Sequence, residues 1–214
     1  MQIGILGSGM VGQALGLGFV KLGHEVKIGS REPGSEKLKP WLAQAGKKAS
    51  TADFEATAKY ADIAVLATLW SGTEHALALA GPDNLARKVV IDVTNPLVAE
   101  PNKPLRLALG HTDSGGEQVQ RWLPNSKVVK AFNTVGHAHM VNPSFPGGPP
   151  DMFICGNDAA AKQVVTGICR NFGWGTVDAG GIEGARLLEP MCILWVTHGL
   201  QTNSWNHAFK LLHK

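Results

Sequence analysis

Residues 7–12 read GSGMVG, with glycines at the first, third and sixth positions. An apolar, strand-like run (QIGILG) leads into them. Beyond them Val11, Leu15, Phe19 and Leu22 recur at helical spacing, and Gly23 stands where a C-terminal cap would. In that context the glycines read as a dinucleotide-binding turn, each with its own task. Gly7 permits the tight turn, Gly9 removes a Cβ from the path of a pyrophosphate, and Gly12 lets the helix pack close to the sheet. The first N–H groups of the helix then face the phosphates, at the positive end of its dipole.

The second chemical feature is KIGSREP, residues 27–33, at the end of the next strand-like run. A site for NAD places a carboxylate here to accept from the ribose hydroxyls, and that charge repels a 2′-phosphate. This chain offers Ser30, which can donate to such a phosphate, and Arg31, which can pair with it through a charge-assisted fork. The position suits NADP. Glu32 follows directly, and Pro33 forces extended geometry on it.

These residues need a frame, and the chain alternates strand and helix patterns to supply it. Helices are expected over 35–45 (with Pro40 inside), 53–61, 72–80, 116–123 and 159–172. Further strands are expected at DIAVLAT, KVVIDVTNP, KVVKAFNTV, DMFICG and WGTVDAG. The segment 97–113 gives little signal, and 142–150 (NPSFPGGPP) reads as an ordered surface loop. The expected architecture is an α/β, doubly wound parallel sheet: a dinucleotide-binding Rossmann domain over residues 1–180, then a helical C-terminal extension over 181–214. In that extension Leu187, Leu188, Met191, Leu194, Trp195 and His198 share one helical face, expected to meet the core or a second subunit.

Composition excludes several classes. The net charge of +3 carries no long Lys or Arg run, so no nucleic-acid partner is expected. No apolar stretch reaches about 18 residues, so no membrane span is expected, and the N-terminus has no basic leader. A cytoplasmic location is expected. Cys155, Cys169 and Cys192 lack CxxC spacing and read as reduced core residues. His137 and His139 form an HxH, with His111 as a conceivable third. No carboxylate or thiolate stands at a diagnostic spacing, so no metal site is assigned.

Taken in order, GILGSGMVGQALGLGFVKLGHEVKIGSR, ADIAVLAT, VVIDVTNPL, KVVKAFNTV, FICGND, VDAG and ARLLEP resemble the NADPH-dependent reductases of the deazaflavin coenzyme F420. A related domain occurs in the STEAP metalloreductases, whose membrane part this chain lacks. The resemblance implies that Ser8, Gly9, Met10 and Val11 hold the pyrophosphate and that Ser30 and Arg31 hold the 2′-phosphate. Thr68, Leu69 and Trp70 would lie beneath the ribose. Asn95 and Pro96, with Ala131, Asn133 and Thr134, would meet the nicotinamide end. Where archaeal members carry further basic residues, this chain has Glu32, Pro33 and Gly34, with Lys37 nearby, which implies a shallower preference for NADP.

The expected function is hydride transfer between NADPH and a flat acceptor, a deazaflavin or flavin, by a homodimer. Two other readings stay open: an NADP-dependent reductase of a small imine or carbonyl, and an NADP-binding redox sensor. The former needs a proton donor beside the nicotinamide. The candidates are His137, His139 and Lys130, the last read as a strand residue facing solvent. No catalytic residue is assigned.

Overall fold

The computed structural model describes residues 1–214. The chain runs β1 (Gln2–Leu6), α1 (Met10–Lys21), β2 (Glu25–Gly29), α2 (Lys39–Ala45), β3 (Ala49–Ala52), α3 (Phe54–Tyr60), β4 (Ile63–Leu66) and α4 (Thr73–Ala80). It continues through β5 (Val89–Asp92), β6 (Leu97–Val98), β7 (Arg106–Leu107), α5 (Gly115–Trp122) and β8 (Lys127–Lys130). Then come β9 (Asp151–Gly156), α6 (Ala159–Asn171), β10 (Gly175–Asp178) and α7 (Ala185–Thr202).

Eight strands form one sheet in the order β10-β9-β8-β5-β4-β1-β2-β3. From β3 to β8 every pairing is parallel, the doubly wound arrangement expected, and the order reverses between β1 and β4. Ligands bind beyond the carboxyl ends of strands at such a reversal. β9 breaks the parallel rule by running antiparallel to β8. The connection 131–150 holds only a 3-10 turn at His137–His139, so the chain turns back at the same edge instead of crossing over.

Alternation within the strands feeds two cores, one per face. Ile3, Ile5, Val26 and Ile28 pack with Leu15, Phe19 and Phe172 on the side of α1 and α6. Leu6, Ala64, Leu66, Val90 and Val128 pack with Leu77, Val119 and Leu188 on the side of α3, α4, α5 and α7. The three cysteines are buried and unpaired. Burial pushes each thiol up to about 12, so none is a thiolate nucleophile.

Several expectations differ from the structure. The second helix begins as a 3-10 turn at Glu36–Leu38 and becomes α-helical at Lys39. Pro40 then sits in the first turn, where its missing N–H leaves no bond unmade. The short edge strand β3 and the two-residue pair β6–β7 carry no hydrophobic run and gave no sequence signal. The strand read over KVVIDVTNP stops at Asp92. The C-terminal stripe is not one buried face. Leu188, Glu189, Cys192, Trp195 and Gly199 are buried, while Leu187 and Leu194 are 66% and 59% exposed. The edge of the buried face runs between Leu187 and Leu188, which are about 100° apart on a helix.

The glycine turn is held by two constraints on the backbone. Gly7 has φ +130, and a Cβ there would strike the Ala67 carbonyl. A Cβ on Gly12 would run into the Gly7 carbonyl oxygen and lie 3.2 Å from Ile5 Cγ2, so only glycine lets α1 sit this close to β1. Gly12→Ala is expected to lower unfolding stability by about 1–3 kcal/mol through overpacking. Gly9, whose added Cβ meets nothing within 4 Å, should tolerate alanine to within about 0.5 kcal/mol. Urea titrations of the two variants check the contrast.

Candidate functional site

The crevice has a backbone-built end and a side-chain-built end. At the first, Gly9 is the N-cap of α1, with φ −74 and ψ −179, and no side chain caps the helix. The leading N–H groups at Met10 and Val11 therefore need partners from outside the helix. The open space at the Gly9 Cβ position is what a bound phosphate requires. Gln13 Nε2 donates to the Ser8 carbonyl at 2.9 Å and steadies the turn.

Ser30 follows β2 and is 9% exposed. Its Oγ accepts from the Glu32 N–H at 3.1 Å and from Ser8 Oγ at 3.4 Å, which ties the end of β2 to the glycine turn. Arg31 is exposed and forms no ion pair, so its guanidinium is available to an incoming anion. The residues read as the phosphate set thus meet at one point on the carboxyl edge: Gly7 to Gly12 with Ser30 and Arg31. Met10 is exposed on its rim.

At the other end, Thr68 Oγ1 lies 2.9 Å from Thr73 Oγ1, which donates to the Leu69 carbonyl at 3.0 Å. This pins the loop after β4 and leaves Leu69 83% exposed. The Trp70 ring stacks on Trp122, with centroids 5.5 Å apart. Pro96 Cδ and Trp70 Cζ3 both lie 3.2 Å from the position of a Cβ on Gly115, so the loops after β4 and β5 converge on the start of α5.

Asn95 and Asn133 are bonded reciprocally. Asn95 Nδ2 donates to the Asn133 carbonyl at 2.9 Å, and Asn133 Nδ2 donates to Asn95 Oδ1 at 2.9 Å. Asn133 Nδ2 also donates to the Leu188 carbonyl at 3.0 Å, so its amide is oriented by two acceptors. Its Oδ1 is buried and has no partner. An orphaned acceptor of this kind calls for an N–H donor from a ligand. The carboxamide of a nicotinamide carries one, so the residues present fit that group. Ala131 and Thr134 are buried, and the Ala131 N–H is engaged by the Asp92 carbonyl.

Beneath this end lies a cluster that sequence reading did not assemble. Lys130 is fully buried and not on a solvent face, as was expected. Its Nζ lies 2.7 Å from Asp92 Oδ2 and 3.1 Å from Glu189 Oε1, and donates to the Thr94 carbonyl at 2.7 Å. Lys130 is fully buried, and its charge is balanced by two carboxylates, so it does not face a substrate. Burial alone would depress its pKa; the Asp92 and Glu189 carboxylates more than reverse this and hold it above the usual lysine range. Burial pushes the Glu189 carboxyl up, while Lys130 and the Gly115 and Gly116 N–H groups pull it back. The sequence did carry a signal: an acid inside VVIDV and another inside the apolar stripe LLEP both violate their surroundings.

The histidines do not converge. His137 is exposed, and His139 Nε2 meets Asn206 Oδ1 at 3.1 Å, against the C-terminal tail. His111 lines a separate cleft of about 880 Å³ between the β6–β7 arm and α7, beside Leu107, Leu109, Leu187 and Pro190.

Residues 2–96 match the family described as NADP oxidoreductase, coenzyme F420-dependent. Over 206 residues the chain is 33% identical to the F420-dependent NADP reductase of Methanocaldococcus jannaschii, covering 92% of this chain and 91% of that protein. This chain belongs to that family. The crystal structure of a candidate F420-dependent NADP reductase from Arthrobacter sp. FB24 superposes with a TM-score of 0.94 at 36% identity, covering all of both chains. The metalloreductase STEAP3 of Rattus norvegicus is 31% identical over 192 residues, 89% of this chain and 36% of that protein.

Membership in the F420-dependent family sharpens one expectation. Arg31→Asp should weaken NADPH binding about 10- to 100-fold, by loss of a charge-assisted bond and added repulsion, and leave NADH nearly unchanged. Fluorescence titrations with both cofactors check this; equal losses would remove Arg31 from the 2′-phosphate site.

Proposed function

We propose that this chain is an NADP-dependent oxidoreductase that passes a hydride between NADPH and a flat acceptor of the deazaflavin or flavin type, with coenzyme F420 as the first candidate. The observation that carries this reading is the pairing of two ends on one edge. An uncapped helix start with Ser30 and Arg31 suits the 2′-phosphate and pyrophosphate, and the Asn95–Asn133 pair with its orphaned oxygen suits a nicotinamide carboxamide. NADPH bound there supplies the hydride.

The protein's own contribution is placement. The α1 N–H groups, Ser30 and Arg31 hold the anionic half. Asn133 Oδ1 fixes the ring plane by accepting from the carboxamide, and Trp70, Leu69 and Pro96 shield the reacting face from water. Nothing in this set delivers a proton. Lys130 is fully buried, and His137 stands in solvent. A flat conjugated acceptor tolerates that, because it spreads the incoming charge over its rings and takes its proton from water. A small carbonyl or imine does not.

The family relatives named as F420-dependent NADP reductases support the same acceptor class. Residues 181–214 serve in this reading as the wall of the acceptor site, and the exposed Leu187 and Leu194 as the contact face of a homodimer. No helix is long and apolar enough to cross a membrane, and we assign the protein to the cytoplasm.

NADPH oxidation followed by absorbance, with F420, a free flavin and a panel of small carbonyls and imines, tests the proposal. Turnover is expected with the flat acceptors, and His137→Gln should lower it by less than about tenfold. Turnover confined to a small carbonyl or imine, lost about a hundredfold without His137, would overturn it.

A further inference from the structure

Residues from β5, the loop after it and α7 meet at one buried ammonium on the nicotinamide side of the crevice. Asp92 is the last residue of β5. Thr94 follows it and directly precedes Asn95. Glu189 comes from α7 and directly follows Leu188, whose carbonyl accepts from Asn133 Nδ2. The Lys130 Nζ reaches all three at 2.7–3.1 Å.

Both carboxylates are themselves held. Asp92 Oδ1 accepts from the Thr94 N–H at 2.9 Å and from Thr94 Oγ1 at 2.7 Å. Glu189 Oε2 and Oε1 accept from the N–H groups of Gly115 and Gly116, each at 2.9 Å, so Glu189 also anchors the start of α5. The two glycines are required for this approach. A Cβ on Gly116 would lie 2.9 Å from Lys130 Cε, and one on Gly115 would lie 3.0 Å from Glu189 Oε1 and 3.2 Å from both Pro96 and Trp70.

Stability does not explain such an arrangement. A buried ion network is matched or exceeded in stability by apolar residues of similar volume. What it does provide is directional definition: Asp92 Oδ1 and both Glu189 oxygens accept from fixed backbone N–H groups, and displacing either acid uncovers the buried ammonium.

We infer that Glu189 is a positioning residue: through Lys130 and the Leu188 backbone, it sets where the Asn95–Asn133 pair stands, and so where the nicotinamide is held, without touching the cofactor. This assignment rests on the proposed use of that pair for NADPH. It also gives the C-terminal helix a role at the reaction end distinct from lining the acceptor site.

The test compares two ligands. NADPH occupies both ends of the crevice, whereas 2′,5′-ADP lacks the nicotinamide end. Glu189→Gln keeps the side chain's size but must turn an amide donor toward either a backbone N–H or the Lys130 ammonium. It should weaken NADPH about fivefold or more while changing 2′,5′-ADP by less than about twofold, and lower turnover with the acceptor about tenfold. Glu117→Gln is the control. It breaks the other tie between α5 and α7, the Arg186 pair at 2.5 and 2.8 Å, away from Lys130. It should lower the melting temperature and leave the ratio of the two affinities unchanged.

If Glu189→Gln fails to fold, Asp92→Asn, on the opposite arm of the cluster, carries the same expectation. Equal changes for both ligands in the Glu189 variant, or no change in either, would overturn the assignment, as would the same altered ratio in the control. A wild-type protein that binds NADPH but reduces no flat acceptor would instead contradict the acceptor class, while the binding ratio still decides the role of Glu189.

Discussion

The burial of the Lys130 ammonium at the carboxyl edge of the sheet is the constraint from which the reaction end follows. An ion of that kind persists in the interior only when opposite charge and hydrogen-bond acceptors surround it. Here the requirement draws in the end of β5, the Thr94 carbonyl and Glu189 of α7, and through Glu189 the first N–H groups of α5. Four elements distant in sequence are thereby registered against one another. The Asn95–Asn133 pair, Pro96 and Trp70 stand on that junction.

The two ends of the crevice obey different physics. The phosphate end is made of backbone: a left-handed glycine, a glycine with no room for a Cβ, and an uncapped helix start. In the proposed reading, two side chains, Ser30 and Arg31, add specificity there. The proposed nicotinamide end is made of side chains, and their positions depend on buried polar contacts between segments 36 to 74 residues apart in sequence. The first arrangement suits a generic anion. The second suits a planar group whose orientation decides whether a hydride can be passed.

That difference governs what could be read beforehand. GSGMVG is local, so the turn and the parallel βαβ frame were legible from spacing, and the residue types of SR pointed to NADP, the cofactor of the matched family. β3, at ASTA, and the β6–β7 arm were not, because edge and hairpin strands this short carry too little apolar pattern. Lys130 was placed on a solvent face because strand alternation gives a side chain's direction but not what covers it. Glu189 lies 59 positions along the chain from Lys130, and only the path of α7 brings them together. The C-terminal stripe is split by the core: helical spacing groups Leu187 with Leu188, but only Leu188 is buried, and Leu194 is exposed like Leu187.

The claim at the centre of this structure is that a nicotinamide held over the Asn95–Asn133 pair passes its hydride directly to a ring stacked upon it. Stoichiometric reduction of F420 with NADPH deuterated at the transferring C4 position, followed by NMR of the reduced acceptor, tests it most directly. Direct transfer puts the deuterium on the acceptor carbon, with none released to solvent. Recovery of the label in water, with an unlabelled reduced acceptor, would contradict it.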